Sequence, residues 1–301
     1  MAPATKRSPL VSVGMPVYNG EDLIATALDS ILNQTYQNIE LVIVDNASTD
    51  DTAKVCREYV ETDQRVRYVR NKRNIGVARN FNRAFELSTG KYFKWAAHDD
   101  WIAPLFIADC VTALEADDSS VLCWTNSRFI DAAGNLSDEQ PFAGSPYLLS
   151  SQASLRQRFR QALYAYPGPT LYGLIRTDAL RRTQLFRGTV GSDRVLLAEL
   201  SMLGGFSWVS DVLFFERHWP GMRVGHYTSS YWDPDRWRIG VTMGYVVQAG
   251  QCMSVILRAR LRPTTTGTLS GIVAVKYARR ISRRVLWSLR ELTKRSPHRE
   301  C

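Results

Sequence analysis

The chain has 301 residues, 45% of them hydrophobic, enough to bury a sizeable core as one large domain or as a domain with an appendage, and long enough for an enzyme. Five cysteines (Cys56, Cys110, Cys123, Cys252, Cys301) form no CxxC pair and are odd in number, which argues against a structural zinc site and for free thiols in a reducing compartment. The formal charge of +9 is uneven: nine Lys/Arg against two Glu between Lys276 and Cys301 put +7 in the tail, so the body is near neutral and any basic partner surface belongs to the tail.

Residues 1–8 lack the apolar stretch of a signal peptide and are expected to be disordered; export is not expected. Leu10–Met15 is a short apolar run ended by Pro16, the pattern of a first strand. Residues 21–34 carry Leu23, Ile24, Ala27, Leu28, Ile31 and Leu32 at helical spacing, and Ile39–Asp45 is a β-branched second strand ending on an acid. A helix over 52–60, a strand over 66–69 and a helix from 77 to 87 follow. Tyr92–Ala97 is the central strand, then a helix over 103–116 and a strand over 121–125. This alternation predicts an α/β fold, a mostly parallel sheet flanked by helices. The first strand is followed by Pro-Val-Tyr-Asn-Gly20, with neither GxGxxG nor GxxxxGK[ST], which disfavours a nicotinamide site and a P-loop.

After residue 126 the rhythm breaks. Asp131–Asn135 predicts a hairpin turn, 140–150 a loop, 151–164 a helix, Tyr172–Arg176 a strand entry, 193–202 a helix headed by an acid, 206–215 one or two strands and Trp219–Gly221 a mobile loop. The division is therefore 9–126 for a first half, 127–235 for a second half where an acceptor would be chosen, and 236–301 for a helical, basic extension. Ile239–Leu257 is uncharged for 19 residues but holds Gln, Gly, Thr and Ser, so a buried or surface-lying helix is favoured over a membrane span.

The central strand ends on His98-Asp99-Asp100. Ligands of open α/β sheets bind at the carboxyl ends of the strands. Two adjacent carboxylates repel each other unless a divalent cation lies between them and a phosphate, and hard oxygen ligands suit Mg²⁺ or Mn²⁺. The same pair would also serve to cap the helix beginning near Pro104.

Val11-Ser-Val-Gly-Met-Pro-Val-Tyr-Asn-Gly20, Ser30-Ile-Leu-Asn-Gln-Thr-Tyr36, Glu40–Asp50, Asn74-Ile-Gly-Val-Ala-Arg-Asn80, Gly90-Lys-Tyr92 and His98-Asp-Asp100 together resemble the family-2 inverting glycosyltransferases of the GT-A fold, across roughly residues 9 to 135. The second half matches more loosely, through Tyr172–Arg176, Ser192-Asp193 and Arg217-His218. The resemblance implies that Pro16 and Tyr18 border the base of a nucleotide sugar, that Asp45 accepts a hydrogen bond from it, and that Arg79 lies near the base or phosphates. An ionised Asp is acceptor-only and a Tyr face stacks, as a uracil or thymine requires; Asp45 could equally cap its loop, and Arg79 could be a helix-surface arginine. Many relatives have Asp-x-Asp where this chain has Ala97-His98-Asp99-Asp100. By similarity to relatives with small-x-Asp-Asp, Asp99 would hold the ribose and Asp100 the Mn²⁺ or Mg²⁺, with His98 a bystander. Inversion needs a general base, and the family's spacing points to Asp193, with Glu199 a weaker choice; Asp193 could also be the N-cap of a helix over 195–203. The resemblance also implies Arg217 and His218 as diphosphate or metal contacts.

From Ala274, helical spacing sets Ala274, Ala278, Ile281, Val285, Leu289 and Leu292 on one stripe and Lys276, Arg279, Arg283, Arg290 and Lys294 on the other. Such a basic amphipathic C-terminal helix suits an anionic membrane surface; a helix packed on the domain, a partner-binding helix and a nucleic-acid patch compete, the last least favoured. The expected protein is cytoplasmic, peripheral on the cytoplasmic face of the membrane, with a nucleotide-sugar donor, a saccharide or lipid-linked acceptor and no nucleic acid. Two other functions compete: a sugar- or nucleotide-binding protein without catalysis, which the missing acid at Ala97 would favour, and nucleotidyl transfer, which lacks its glycine-rich loop here.

Overall fold

The computed structural model describes residues 8–138, 149–164, 170–189, 191–218 and 237–294, with backbone alone for 237–243 and 284–294. One eight-stranded sheet runs through the chain. In order of sequence its strands are β1 (Val11–Val17), β2 (Ile39–Asp45), β3 (Val66–Arg70), β4 (Tyr92–Trp95), β5 (Trp101–Ile102), β6 (Ser120–Ile130), β7 (Leu174–Arg176) and β8 (Gly205–Arg217). In space the order is β3-β2-β1-β4-β7-β6-β8-β5. The four strands β3, β2, β1 and β4 are mutually parallel, β7 is antiparallel to both β4 and β6, β8 is parallel to β6, and β5 is antiparallel to β8. Six strands therefore share one direction, and β7 and β5 oppose it. β6 runs through residue 126, so both halves of the chain belong to the same sheet.

Helices α1 (Ile24–Leu32), α2 (Thr52–Thr62), α3 (Val77–Glu86) and α4 (Phe106–Ala116) cover the first half. The second half carries α5 (Leu155–Tyr164), α6 (Thr177–Arg181), α7 (Ser192–Leu203), α8 (Trp237–Arg258) and α9 (Pro263–Lys294). The helix expected over the uncharged stretch is present as α8. No helix among the described residues is long and apolar enough to cross a membrane. The loops expected at 140–148 and 219–221 lie outside the described residues.

β1 continues through Pro16 instead of stopping before it. Its ladder with β4 ends where Ala96 N–H donates to Gly14 O (2.9 Å), and Pro16, two residues on, faces that same side. A donor is not needed there, so proline is tolerated.

The centre of the sheet is β4, whose four residues are all buried. Alternation sends Phe93 and Trp95 to one face and Tyr92 and Lys94 to the other. Trp95 packs edge-on against Phe93 (centroids 4.8 Å) and Phe186 (5.1 Å), and its Nε1–H donates to Phe81 O at 2.9 Å. On the opposite face the Lys94 ammonium lies 4.6 Å from the Phe106 ring and 5.0 Å from Phe214, donating to the carbonyls of Trp95 and Tyr172. Burial pushes Lys94 down to about 7.

The C-terminal helix departs from its expected facing. Among its described side chains Leu269, Val273, Lys276 and Tyr277 are buried, whereas Ala274 and Ala278 are exposed. Lys276 turns inward because Tyr164 and Tyr277 offer ring faces to its ammonium and Leu163 a carbonyl. Arg279 and Arg283 remain exposed as expected. The side chains of Val285, Leu289, Arg290, Leu292 and Lys294 lie outside the described residues.

Trp95→Ala removes a fully buried side chain and the indole bond to Phe81 O. Its expected cost is roughly 3–5 kcal/mol of unfolding free energy, measured by urea denaturation followed by circular dichroism; a loss under about 1 kcal/mol would contradict this packing.

Candidate active site

Two loops meet at the carboxyl end of the parallel strands. The first, between β1 and α1, carries Pro16, Tyr18 and Gly20. It is laced to the β2–α2 loop: Asn19 N–H donates to Ser48 Oγ (3.0 Å), Gly20 N–H to Thr52 Oγ1 (2.8 Å), and Thr49 N–H to Asn19 Oδ1 (2.9 Å). Tyr18 is 44% exposed, so an aromatic face is presented outward beside the strand ends. The second loop carries His98, Asp99 and Asp100. The two touch through His98, whose ring occupies the space a side chain at Gly20 would need: a Cβ there would lie 2.6 Å from His98 Cδ2.

Asp45, at the tip of β2, is fully buried. Its Oδ1 accepts from Ser48 N–H (2.8 Å), and its Oδ2 accepts from Tyr68 OH (2.5 Å) and Arg70 Nε (3.1 Å). It is thus the loop cap that the sequence allowed for. Behind it lies an asparagine network that the sequence did not reveal. Asn46 Oδ1 accepts from Asn71 Nδ2 (3.0 Å) and Ile75 N–H (2.9 Å), Asn46 Nδ2 donates to Asn74 Oδ1 (2.8 Å), and Asn71 also donates to Asn80 Oδ1 (2.8 Å). These bonds fix the turn into α3, on which Arg79 is exposed.

The block Ser30–Tyr36 holds the segment that follows the acids. Gln34 is 1% exposed; its amide donates to Ala103 O (2.8 Å) and accepts from Ile107 N–H (3.0 Å), while Thr35 N–H donates to Pro104 O (2.9 Å). Helix α4 is capped at Leu105 with no side-chain cap hydrogen bond, and β5 separates it from the acids. Asp99 and Asp100 are therefore not capping residues.

What restrains them is Arg217, at the end of β8. Its N–H donates to Asp100 Oδ1 (2.9 Å), its Nε to Asp99 O (3.0 Å), and its NH1 to the carbonyls of Asp131 and Ala132 (both 2.7 Å). Arg217 is 7% exposed, and its Nε and NH1 are engaged by backbone carbonyls. His218 follows, its ring 4.9 Å from that of Phe129.

Burial, and then the charge of Asp99, push the Asp100 carboxyl well above the ordinary carboxylate range; the Arg217 N–H works the other way, Glu216 adds to the rise and Lys94 opposes it. Burial also raises the Glu216 carboxyl, with His218 offsetting part of the effect and Asp99 adding to it. Among the described residues no three or more His, Cys, Asp or Glu side chains gather as a metal-binding group. The donor set is two adjacent carboxylates, one of which resists ionisation. Such a pair fits Mg²⁺ or Mn²⁺, which keep several waters and complete their shell with substrate phosphate.

Asp193 sits in the first turn of α7, behind Gly191 at the N-cap with φ 73°. It is inside the helix and does not cap it, where the helix dipole favours a carboxylate. Glu199, on the same helix, is buried and engaged by Arg258 NH2 (3.2 Å), Arg187 NH2 (3.6 Å) and Gln184 N–H (3.2 Å), a structural ion-pair node unsuited to take a proton from substrate.

The family model described as glycosyl transferase family 2 matches residues 12–187, more than half of the chain. The chain belongs to glycosyl transferase family 2. Among relatives, it is 37% identical over 131 residues to a chondroitin synthase of Escherichia coli, a match covering 44% of this chain and 19% of that one. It is 38% identical over 110 residues to an uncharacterized glycosyltransferase of Haemophilus influenzae, covering 36% and 34%. The matched segments thus span less than half the length of these relatives. Among solved structures, TarS residues 1–349 of S. aureus superposes with a TM-score of 0.64 at 17% identity, covering 87% of this chain and 70% of that one. The mannosyltransferase PcManGT of Pyrobaculum calidifontis, in complex with GDP-Man and Mn²⁺, superposes with a TM-score of 0.56 at 20% identity, covering 99% and 84%. The family-2 chain accordingly has the expected GT-A fold.

The raised Asp100 carboxyl has a consequence for stability. Its ionisation is harder in the folded state than in the unfolded one, so the penalty is absent below the ordinary carboxylate value near pH 4 and develops as pH rises through the raised folded value. Asp100→Asn is expected to raise Tm at pH 8 and to have little effect at pH 4. Differential scanning fluorimetry at both pH values checks this; a lower Tm for the variant at pH 8 would contradict it.

Proposed function

We propose that this chain is a metal-dependent inverting glycosyltransferase that moves a sugar from a UDP- or dTDP-linked donor to a hydroxyl of a glycan, a lipid-linked saccharide or a glycoside. The observation that carries the reading is the acid pair at the end of β4, held by Arg217 and joined through His98 and Gly20 to the loop that presents Tyr18. In support, relatives of the fold bind nucleotide sugars: the TarS fragment has been solved with UDP-GlcNAc and PcManGT with GDP-Man and Mn²⁺.

In this reading Tyr18 and Pro16 border the nucleobase, Asp99 orients the ribose and Asp100 holds the cation. When bound, Mn²⁺ or Mg²⁺ supplies positive charge against the departing diphosphate. Asp45 takes a base N–H in a lone-pair direction left by Tyr68, Arg70 and Ser48, a carboxylate having about four; the Arg70 side chain, 46% exposed, is the part able to turn aside. Arg79 lies near the phosphates. His218 serves the diphosphate, while Arg217 positions the acids. Asp193 removes the acceptor hydroxyl proton on the face opposite the leaving group, as inversion requires.

Asp100→Asn is expected to abolish transfer and the Mn²⁺-dependent part of UDP binding. Asp193→Asn is expected to lower kcat by about 10²–10⁴-fold, the span of general-base catalysis, with UDP affinity within about twofold. Calorimetric titration of UDP with and without Mn²⁺, followed by a donor-panel transfer assay, checks both; near-wild-type turnover by Asp193→Asn removes the base assignment. Ala97 favours a second reading, and Mn²⁺-dependent UDP binding with no turnover on any donor or acceptor supports a binding protein instead.

We extend the proposal to an anionic membrane surface on the cytoplasmic side. Support comes from the exposed side of α9, which sets Arg279 and Arg283 beside Ala274, Val275 and Ala278. Each cation contributes on the order of 1 kcal/mol at such a surface, so Arg279→Glu with Arg283→Glu is expected to cut co-sedimentation with phosphatidylglycerol vesicles at least about tenfold at unchanged Tm. Unchanged co-sedimentation would remove the membrane reading.

A further inference from the structure

We propose that Gln248 and Gln251 are positioning residues for Asp193, holding the first turn of α7 in place from the C-terminal extension. This role rests on Asp193 being the base that takes the acceptor proton.

The uncharged stretch Ile239–Leu257 is interrupted by two glutamines, three apart and so on one face of α8. Both turn to the chain just ahead of α7. Gln251 Oε1 accepts from Thr189 Oγ1–H at 3.1 Å, and the Gln251 carbonyl accepts from Arg187 NH1 at 3.5 Å. Gln248 is 1% exposed and its amide lies against Gly191: a Cβ there would run into Nε2 and stand 3.1 Å from Cδ.

Thr189 and Gly191 are the residues on which α7 is founded. Ser192 N–H donates to Thr189 O and Arg194 N–H to Gly191 O, both at 3.1 Å, and these bonds close the turn around Asp193. Gly191 caps the helix without a side-chain hydrogen bond, so α7 lacks the restraint that a Ser, Thr, Asp or Asn cap would give its first turn. The two glutamines supply it from outside. Further along, Arg258 at the end of α8 donates to Glu199 Oε1 (3.2 Å), so α8 holds α7 at a second point. A buried amide costs free energy unless it is paired, and Gln251 meets that cost with the Thr189 hydroxyl. For a base the restraint matters: the carboxylate must lie within hydrogen-bond reach of the hydroxyl it deprotonates, and a misplacement of about 1 Å costs on the order of 10²-fold in rate.

The test uses the full chain with Mn²⁺. Gln251→Leu and Thr189→Val delete the same hydrogen bond from its two sides, and Thr189→Ser keeps the hydroxyl. Transfer is followed with the nucleotide sugar that scores highest in the donor panel, with and without Asp193→Asn, and hydrogen exchange of the Ser192 and Arg194 amides is measured on the ligand-free proteins. Expected is a kcat lowered by about 10- to 100-fold in Gln251→Leu and Thr189→Val, with donor KM and UDP affinity within about twofold and kcat recovered in Thr189→Ser. The two amides exchange at least about tenfold faster in both deletions. In the Asp193→Asn background, where the carboxylate is already gone, Gln251→Leu lowers the residual rate no further. Unchanged kcat, unchanged exchange of the two amides, or the same fold loss in the Asp193→Asn background overturns the positioning role while the base assignment stands. Near-wild-type turnover by Asp193→Asn alone overturns the base assignment, and the positioning role with it.

Discussion

Two carboxylates on consecutive residues at a strand end repel each other, and the fold must hold them against that repulsion before anything else can use them. Arg217 does so from the far side of the sheet. One side chain binds the carbonyl of Asp99 and the hairpin carbonyls of Asp131 and Ala132, while its own N–H binds Asp100. The tips of β4, β6 and β8 are thereby tied at one point. The residue is buried with its charge because several oxygens surround it, a setting a lysine could not match with the same geometry.

The turn into α3 and the tip of β2 are organised largely by side-chain amides instead. Asn46, Asn71, Asn74 and Asn80 shape the turn into α3 without net charge, and Asp45 is satisfied within the protein by Ser48, Tyr68 and Arg70.

Much of the first half was legible because each element there obeys local rules. The β-branched run Ile39–Asp45 appears as β2 at those same limits, and apolar spacing in α1, α2 and α3 locates each helix within a few residues. Of the short strands, β7 lies within the strand entry expected at Tyr172–Arg176, whereas the two-residue β5 escaped notice; the antiparallel pairing of both is decided by partners more than fifty residues away in sequence, which no local pattern encodes. The roles of cations were the least legible. Arg217 reads in sequence as a ligand contact and Lys276 as a solvent-facing charge, yet both are buried, because carbonyls and aromatic faces supplied by distant elements receive them. The candidate acids were visible as letters; what restrains them was not.

The contact between Gly20 and His98 limits the size of the residue at position 20. With an imidazole filling the place of the missing side chain, the loop bearing Tyr18 and the loop bearing the acids are packed against each other, and any larger residue at position 20 would have to displace the His98 ring and the Val17 side chain, wedging the two loops apart.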